Sequence, residues 1–192
     1  MMKFREDEYY IEQVLNGHTA AYRQLVEKHQ DFVYTIVKKI VNAAEEAEEV
    51  AQDVFVKAYK KLPDFRGTAK FSTWLYRIAY NSSISHSRKR RIEFLSADEQ
   101  VVENYSEDDL MQDIMGLSVQ EQKSLIHDAM STLPQTDSLI VTLFYFHEKD
   151  LDEISEIVGM THNNVKVKLH RIRKKLLIKM NEILDKNVNT VA

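Results

Sequence analysis

The sequence predicts an all-α protein. Two observations carry that reading, and a third divides the chain. Gly (4) and Pro (2) are scarce among the 192 residues, so strong chain breakers are few. Hydrophobic residues make up 44% of the chain, and most recur at helical rather than alternating spacing. Acidic and basic residues fall in separate blocks, and one acidic block lacks a helical period. That block divides the chain into two small helical domains, 1–95 and 121–192, joined by an acidic linker over 96–120. The second domain carries a helix-turn-helix.

The elements follow in order. A short helix is expected from Glu6 to Leu15. From Ala20 to Val41, Tyr22, Leu25, Val26, Phe32, Val33, Ile36, Val37 and Ile40 form one apolar stripe. From Glu45 to Leu62 a second stripe runs through Ala47, Val50, Ala51, Val54, Phe55 and Ala58, and Pro63 stops it. Asp64 to Ala69 is a loop centred on Gly67. Phe71, Trp74, Leu75, Ile78, Ala79 and Ser82 share a face of a helix reaching Arg88. The linker then holds no Lys or Arg from Ile92 to Gln122, with a turn of helix expected near Leu110 to Met115.

Helical spacing resumes from Glu121 to Ser131 and from Pro134 to His147. A further helix runs from Leu151 to Val158, with Asp150 and Glu153 spaced as a capping box. Gly159 supplies the positive φ that ends it. Thr161 caps the last helix, where Val165, Leu169, Ile172 and Leu176 recur on one face. The other faces carry Asn163, Lys166, Lys168, His170, Arg171, Arg173 and Lys174. A helix apolar on one side and basic elsewhere, entered through a tight Gly turn, suits the major groove.

Composition bounds the remaining possibilities. The net charge is −4, which argues against a protein that finds DNA by bulk electrostatics alone. Strongly basic stretches (His86 to Arg91, Lys166 to Lys175) and acidic ones (Glu45 to Asp53, Glu93 to Asp113) suggest two kinds of partner. No Cys is present, so there is no disulfide framework and no thiolate metal site. No apolar run reaches the length of a membrane span, and the N-terminus lacks a signal-peptide core. A cytoplasmic protein without membrane insertion is expected. The seven His show no metal spacing, and no phosphate loop or nucleophile motif occurs. Neither a cofactor nor an enzymatic activity is expected.

Two further constellations stand out. Glu45, Glu48, Glu49, Gln52, Asp53 and Val56 lie opposite the apolar stripe of their helix. They form either a solvated acidic face or a docking face for a basic partner helix. Phe65, Arg66, Lys70, Trp74, Tyr76, Arg77, Tyr80 and Asn81, then Arg88 to Arg91, interleave aromatic and basic groups. Aromatic rings beside cations hold unstacked bases and their phosphates. The alternative is a helix whose basic stems cover a small core.

The segment from Asp31 to Arg91, with E-E-A-E-E-V-A-Q-D-V-F-V-K-A-Y-K-K-L and F-R-G-T-A-K-F-S-T-W-L-Y-R-I-A-Y-N, resembles region two of extracytoplasmic-function (ECF) sigma factors of the sigma-70 family. The segment from Leu133 to Leu176, ending V-K-V-K-L-H-R-I-R-K-K-L, resembles their region four. The resemblance implies a subunit that binds core RNA polymerase and directs it to promoter DNA. It assigns polymerase binding to Glu49, Gln52, Asp53, Val56 and Lys57. It assigns opening of the minus-ten element and capture of an unstacked base to Phe65, Arg66, Gly67, Lys70, Trp74, Arg77 and Asn81. It assigns reading of the minus-thirty-five element to Asn163, Lys166, Val167, His170 and Arg171, with Thr161 near phosphate. It leaves room for an anti-sigma factor as a further partner.

Two other function classes fit less well. A stand-alone helix-turn-helix regulator would not need the Phe65 to Arg91 surface. A metal-dependent nuclease using the carboxylates from Glu45 to Asp53 would rest on consecutive acids on a solvent face, which do not make a preorganised site.

Overall fold

Each apolar stripe read from the sequence becomes the buried side of a helix. The computed structural model describes residues 7–90, 114 and 116–191, with the side chains at 89–90 and 187–191 left undescribed. Every regular element among the described residues is helical. Most of the linker, most of the turn expected near Leu110 to Met115, and Arg91 lie outside them.

The described residues fall into two compact units. The first holds α1 (Asp7–Leu15), α2 (Tyr22–Ile40), α3 (Ala44–Lys61) and α4 (Phe71–Arg90). Short 3-10 turns at Thr19–Ala21 and Leu62–Asp64 lead into α2 and out of α3. Pro63 sits inside the second turn, where its missing N–H costs nothing. Helices α2, α3 and α4 pack pairwise around one core. Leu25, Val33, Ile36, Ile40, Val54, Ala58, Leu62, Phe71 and Leu75 are almost fully buried there. Burial of each large aliphatic side chain contributes roughly 1.5–3 kcal/mol. The Tyr22 hydroxyl donates to the Phe55 carbonyl at 2.7 Å and ties α2 to α3.

The second unit holds α5 (Val119–Ser131), α6 (Gln135–Val141) and the long α8 (His162–Val191). α5 starts two residues before the expected Glu121. A reciprocal capping box fixes its start: the Glu121 N–H donates to Ser118 Oγ at 3.3 Å, and the Ser118 N–H donates to the Glu121 carboxylate at 2.8 Å. The helix expected from Pro134 to His147 is divided. It is α-helical to Val141 and continues as a π-helical turn over Thr142–Phe146. The wider turn leaves Leu143 buried while Tyr145 and Phe146 emerge to solvent. α8 packs on α5 and α6 through Val165, Leu169 and Ile172.

Helix α7 (Leu151–Val158) groups with the first unit and packs against α4. The sequence division at 121 counts this helix with the C-terminal part. Its short amphipathic sequence, with Ile154, Ile157 and Val158 buried, does not itself specify which apolar surface covers it. The Asp150 cap and the Gly159 stop both form, while the Glu153 carboxylate of the expected capping box pairs with Lys70. The Glu153 N–H donates to the Asp150 carboxylate at 2.8 Å, and Gly159 takes φ 68° at the C-terminus. Three residues on, at His162, α8 begins.

Candidate nucleic-acid interface

Helix α3 keeps an acidic face in solvent. Glu45, Glu48, Glu49, Gln52, Asp53 and Val56 are all exposed, and Val56 is 52% exposed although apolar. Their spacing puts them on one side of the helix, opposite Ala47, Val50, Val54 and Ala58. Lys57 lies beside them, and its Nζ donates to Ser82 Oγ at 3.2 Å, linking α3 to α4. Glu46, nearer the core, faces His86 of α4 at 3.1 Å. So Glu49, Gln52, Asp53, Val56 and Lys57 form one continuous surface.

Helix α4 carries a second face. Lys70, Trp74, Arg77 and Asn81 recur at i, i+4, i+7 and i+11, one above the other. Lys70, Arg77 and Asn81 are exposed, and Trp74 is half-buried. Phe65 follows the 3-10 turn and lies 5.2 Å from the Trp74 ring and 5.7 Å from Phe71. Phe71 and Trp74 are 5.6 Å apart. These three rings make one cluster, with Arg66 and Gly67 exposed beside it. Gly67 has φ 67°, so a side chain there would be strained. Lys70 Nζ pairs with the Glu153 carboxylate at 3.0 Å. That pair ties Lys70, just before α4, to α7, and it raises the lysine's pKa through the hydrogen bond and the charge of Glu153.

Two residues of the aromatic-basic series behave differently. Tyr76 and Tyr80 are buried, so neither ring is a solvent-facing stacking surface. They lie on the side of α4 that faces the core, a quarter-turn or more from Trp74. Of the rings in that series, Phe65 and Trp74 keep partial exposure. Sequence spacing placed both tyrosines off the Trp74 stripe but could not show that other elements cover that side as well.

A buried polar chain runs beneath this face. His29, 5% exposed, lies in the middle of the α2 stripe. Its Nδ1 is 3.0 Å from the Tyr76 hydroxyl and its Nε2 is 3.0 Å from Asp7 of α1. Lys28 Nζ donates to the other Asp7 oxygen at 2.6 Å. Burial pushes the Asp7 carboxyl up, but the hydrogen bonds from His29 and Lys28 outweigh it, and its pKa ends below the ordinary value. None of this was foreseen from the sequence. The available signal was the position of His29 four residues from both Leu25 and Val33, inside the apolar stripe.

The residues assigned to groove reading share one exposed face of α8. Asn163, Lys166, Val167, His170 and Arg171 are all exposed and lie opposite Val165, Leu169 and Ile172. Lys174 continues the same face. Thr161, just before the helix, is exposed. Lys168 points elsewhere: its Nζ pairs at 2.6 Å with Asp137 of α6, a carboxylate that is 5% exposed. Arg173 is also engaged, with its guanidinium over the Phe144 and Tyr145 rings and a hydrogen bond to the Tyr145 hydroxyl. The exposed cations of the face proper are therefore Lys166, Arg171 and Lys174.

No helix among the described residues is long and apolar enough to cross a membrane. Family models match in the expected order: Sigma-70 region 2 over residues 25–92 and Sigma-70, region 4 over residues 123–176. The chain is 29% identical over 180 residues to the RNA polymerase sigma-H factor of Pseudomonas aeruginosa, covering 91% of this chain and 93% of that protein. It is 27% identical to the ECF RNA polymerase sigma-E factor of Escherichia coli, over 88% of this chain and 91% of that one. The fold matches CnrH, solved in complex with the cytosolic domain of CnrY, with a TM-score of 0.63 and 20% identity over 94% of this chain and 97% of that one. It also matches the sigma factor RpoE from Bartonella quintana, with a TM-score of 0.59 and 18% identity over 83% of this chain and 96% of that one. The ECF RNA polymerase sigma factor SigW of Bacillus subtilis is 32% identical over 173 residues, 86% of this chain and 92% of that protein. With that identity across almost a whole relative, and both region models matched in order, the chain belongs to the ECF RNA polymerase sigma factors of the sigma-70 family.

Proposed function

We propose that this protein is an alternative sigma subunit that binds core RNA polymerase, directs it to promoters and assists their melting at initiation. The polymerase performs the chemistry, and the sigma subunit supplies recognition. The observation that carries this reading is the pairing of two unlike exposed faces in one chain. One is an aromatic cluster beside exposed cations on α4, and the other is a row of cations and amides on α8. A duplex-only regulator has no use for the first.

In this reading the exposed face of α3 (Glu49, Gln52, Asp53, Val56, Lys57) docks on the polymerase. Phe65, Arg66, Gly67, Lys70, Trp74, Arg77 and Asn81 hold the opened minus-ten strand. Thr161, Asn163, Lys166, Val167, His170 and Arg171 address the minus-thirty-five element, with Val167 against a thymine methyl or a sugar rather than a hydrogen-bonding group. The division into 1–95, linker 96–120 and 121–192 follows the same assignment. The net charge of −4 fits a subunit that depends on polymerase for much of its DNA affinity. The site of action is the cytoplasm, and an anti-sigma factor is a further partner in this scheme.

The test is transcription by core polymerase with and without the protein on a genomic template library. Discrete new start sites sharing an upstream and a minus-ten element are expected. Charge reversal, Glu49→Lys with Asp53→Lys, leaves the circular dichroism unchanged, since both side chains are exposed, and weakens core binding. A double variant that binds core as tightly as the parent would remove α3 as the anchor.

A further inference from the structure

The buried chain Asp7–His29–Tyr76 has no part in the assignments above, yet it reaches the strand-capture face from behind. His29 touches α4 twice. Its Nδ1 meets the Tyr76 hydroxyl at 3.0 Å, and its ring lies edge-on to Phe71 with centroids 5.6 Å apart. Tyr76 immediately precedes Arg77, and Phe71 is the ring on which both Phe65 and Trp74 lean. Phe32 closes the other side of Tyr76, with centroids 4.3 Å apart. The polar contacts are directional, unlike the apolar packing around them. The Asp7 carboxylate only accepts, so Nε2 donates to it. In a neutral imidazole Nδ1 then accepts from the Tyr76 hydroxyl. One tautomer satisfies the whole chain, and Lys28 fixes the carboxylate from its other oxygen.

We propose that Asp7 and His29 are positioning residues for strand capture, setting through Tyr76 and Phe71 the orientation in which α4 presents Phe65, Trp74, Arg77 and Asn81. The inference rests on the reading of α4 as the strand-capture helix. An apolar residue at position 29 would fill the core equally well but would leave Tyr76 with one directional partner fewer and Asp7 without its ring donor. The first described helix thereby acquires a function: α1 carries Asp7 in its first turn, and it anchors a face that it does not itself form.

Trp74 is the sole tryptophan, so its fluorescence reports on the cluster in the free protein, without DNA. The variants are Tyr76→Phe, which deletes one hydroxyl and keeps the ring, His29→Gln, which keeps a donor within reach of Asp7, and Asp7→Asn. Each is measured at a temperature where circular dichroism shows it fully folded. The expected result is a shift in Trp74 emission or acrylamide quenching. Open-complex formation by the holoenzyme should fall roughly threefold to tenfold, the equivalent of one net hydrogen bond, while core polymerase affinity holds. The His29→Gln/Tyr76→Phe double variant should be no worse than either single one. Absence of a Trp74 shift in all three variants overturns the coupling, whatever promoter opening does. Additive losses in the double variant overturn it as well. A Trp74 shift with normal opening, both in these variants and in Asn81→Ala, upholds the coupling and sinks the strand-capture assignment of α4 instead.

Discussion

Helices α4 and α8 each carry an exposed face to which we assign nucleic acid, and they are built on opposite plans. The α4 face rests on interlocked rings and on a buried polar chain. The α8 face rests on an apolar seam of Val165, Leu169 and Ile172, with one ion pair, Lys168 to Asp137, at its flank. On the proposed roles, the difference follows from what each face would hold. An unstacked base has no duplex to fix its position, so the protein must supply a rigid receptacle. A duplex already presents its edges in register, so charge and a few well-placed side chains suffice. The first plan is sensitive to angle, and the second to charge.

The largest expected effect tests the sensitivity to angle. Trp74→Ala removes the ring packed against both Phe65 and Phe71. It should cost about 3 kcal/mol of stability, the low end for truncating a core aromatic, because the ring is only half-buried. Thermal melting gives that number, and strand capture on a pre-melted promoter should be lost even where the variant is folded. A folded Trp74→Ala protein that captures the strand normally would show that the rings are core and nothing more.

Next come the positions of α8 to which we assign base reading. Lys166→Ala and Arg171→Ala should each lower holoenzyme affinity for the promoter by roughly 1–3 kcal/mol and relax preference at one upstream base pair. Binding to a set of single-base variants of the upstream element measures both. Uniform loss across that set would mean that the residues only position the helix. Asn81→Ala, on the other plan, should cost about 1 kcal/mol, one hydrogen bond. Its effect should appear on melted or forked templates and not on duplex.

Much of this was legible in the sequence, and the reasons for the exceptions are physical. The stripes of α2, α3 and α4, the exposed Val56, Gly159 at the end of α7 and the buried seam of α8 all follow from helical periodicity and caps, which are local. The π-helical turn at Thr142–Phe146 has no local signature, because it changes the register without changing composition. His29, Asp137 and the two buried tyrosines depend on partners far along the chain: Asp7 and Tyr76 for His29, and Lys168 for Asp137. A charged residue read from sequence has no assigned partner until the fold supplies one. For that reason Lys168 and Arg173 counted among the cations of α8, and the structure turns both to protein partners.

The smallest expected effect separates charge from base reading on α8 itself. Lys174 lies on the same face as Lys166 and Arg171, but one to two turns further from the start of the helix at His162. The first residues of a recognition helix approach the base edges, while later ones pass over the backbone. Lys174→Ala should therefore weaken binding to every promoter variant alike. It should also lower the slope of log affinity against log salt concentration by about 1, the signature of one lost phosphate contact. Two salt concentrations and the same set of base variants suffice. If Lys174→Ala instead alters preference at one base pair and leaves the salt slope unchanged, the helix lies deeper or more tilted in the groove than its cap position implies. The division of its face into reading and positioning halves would then have to be redrawn.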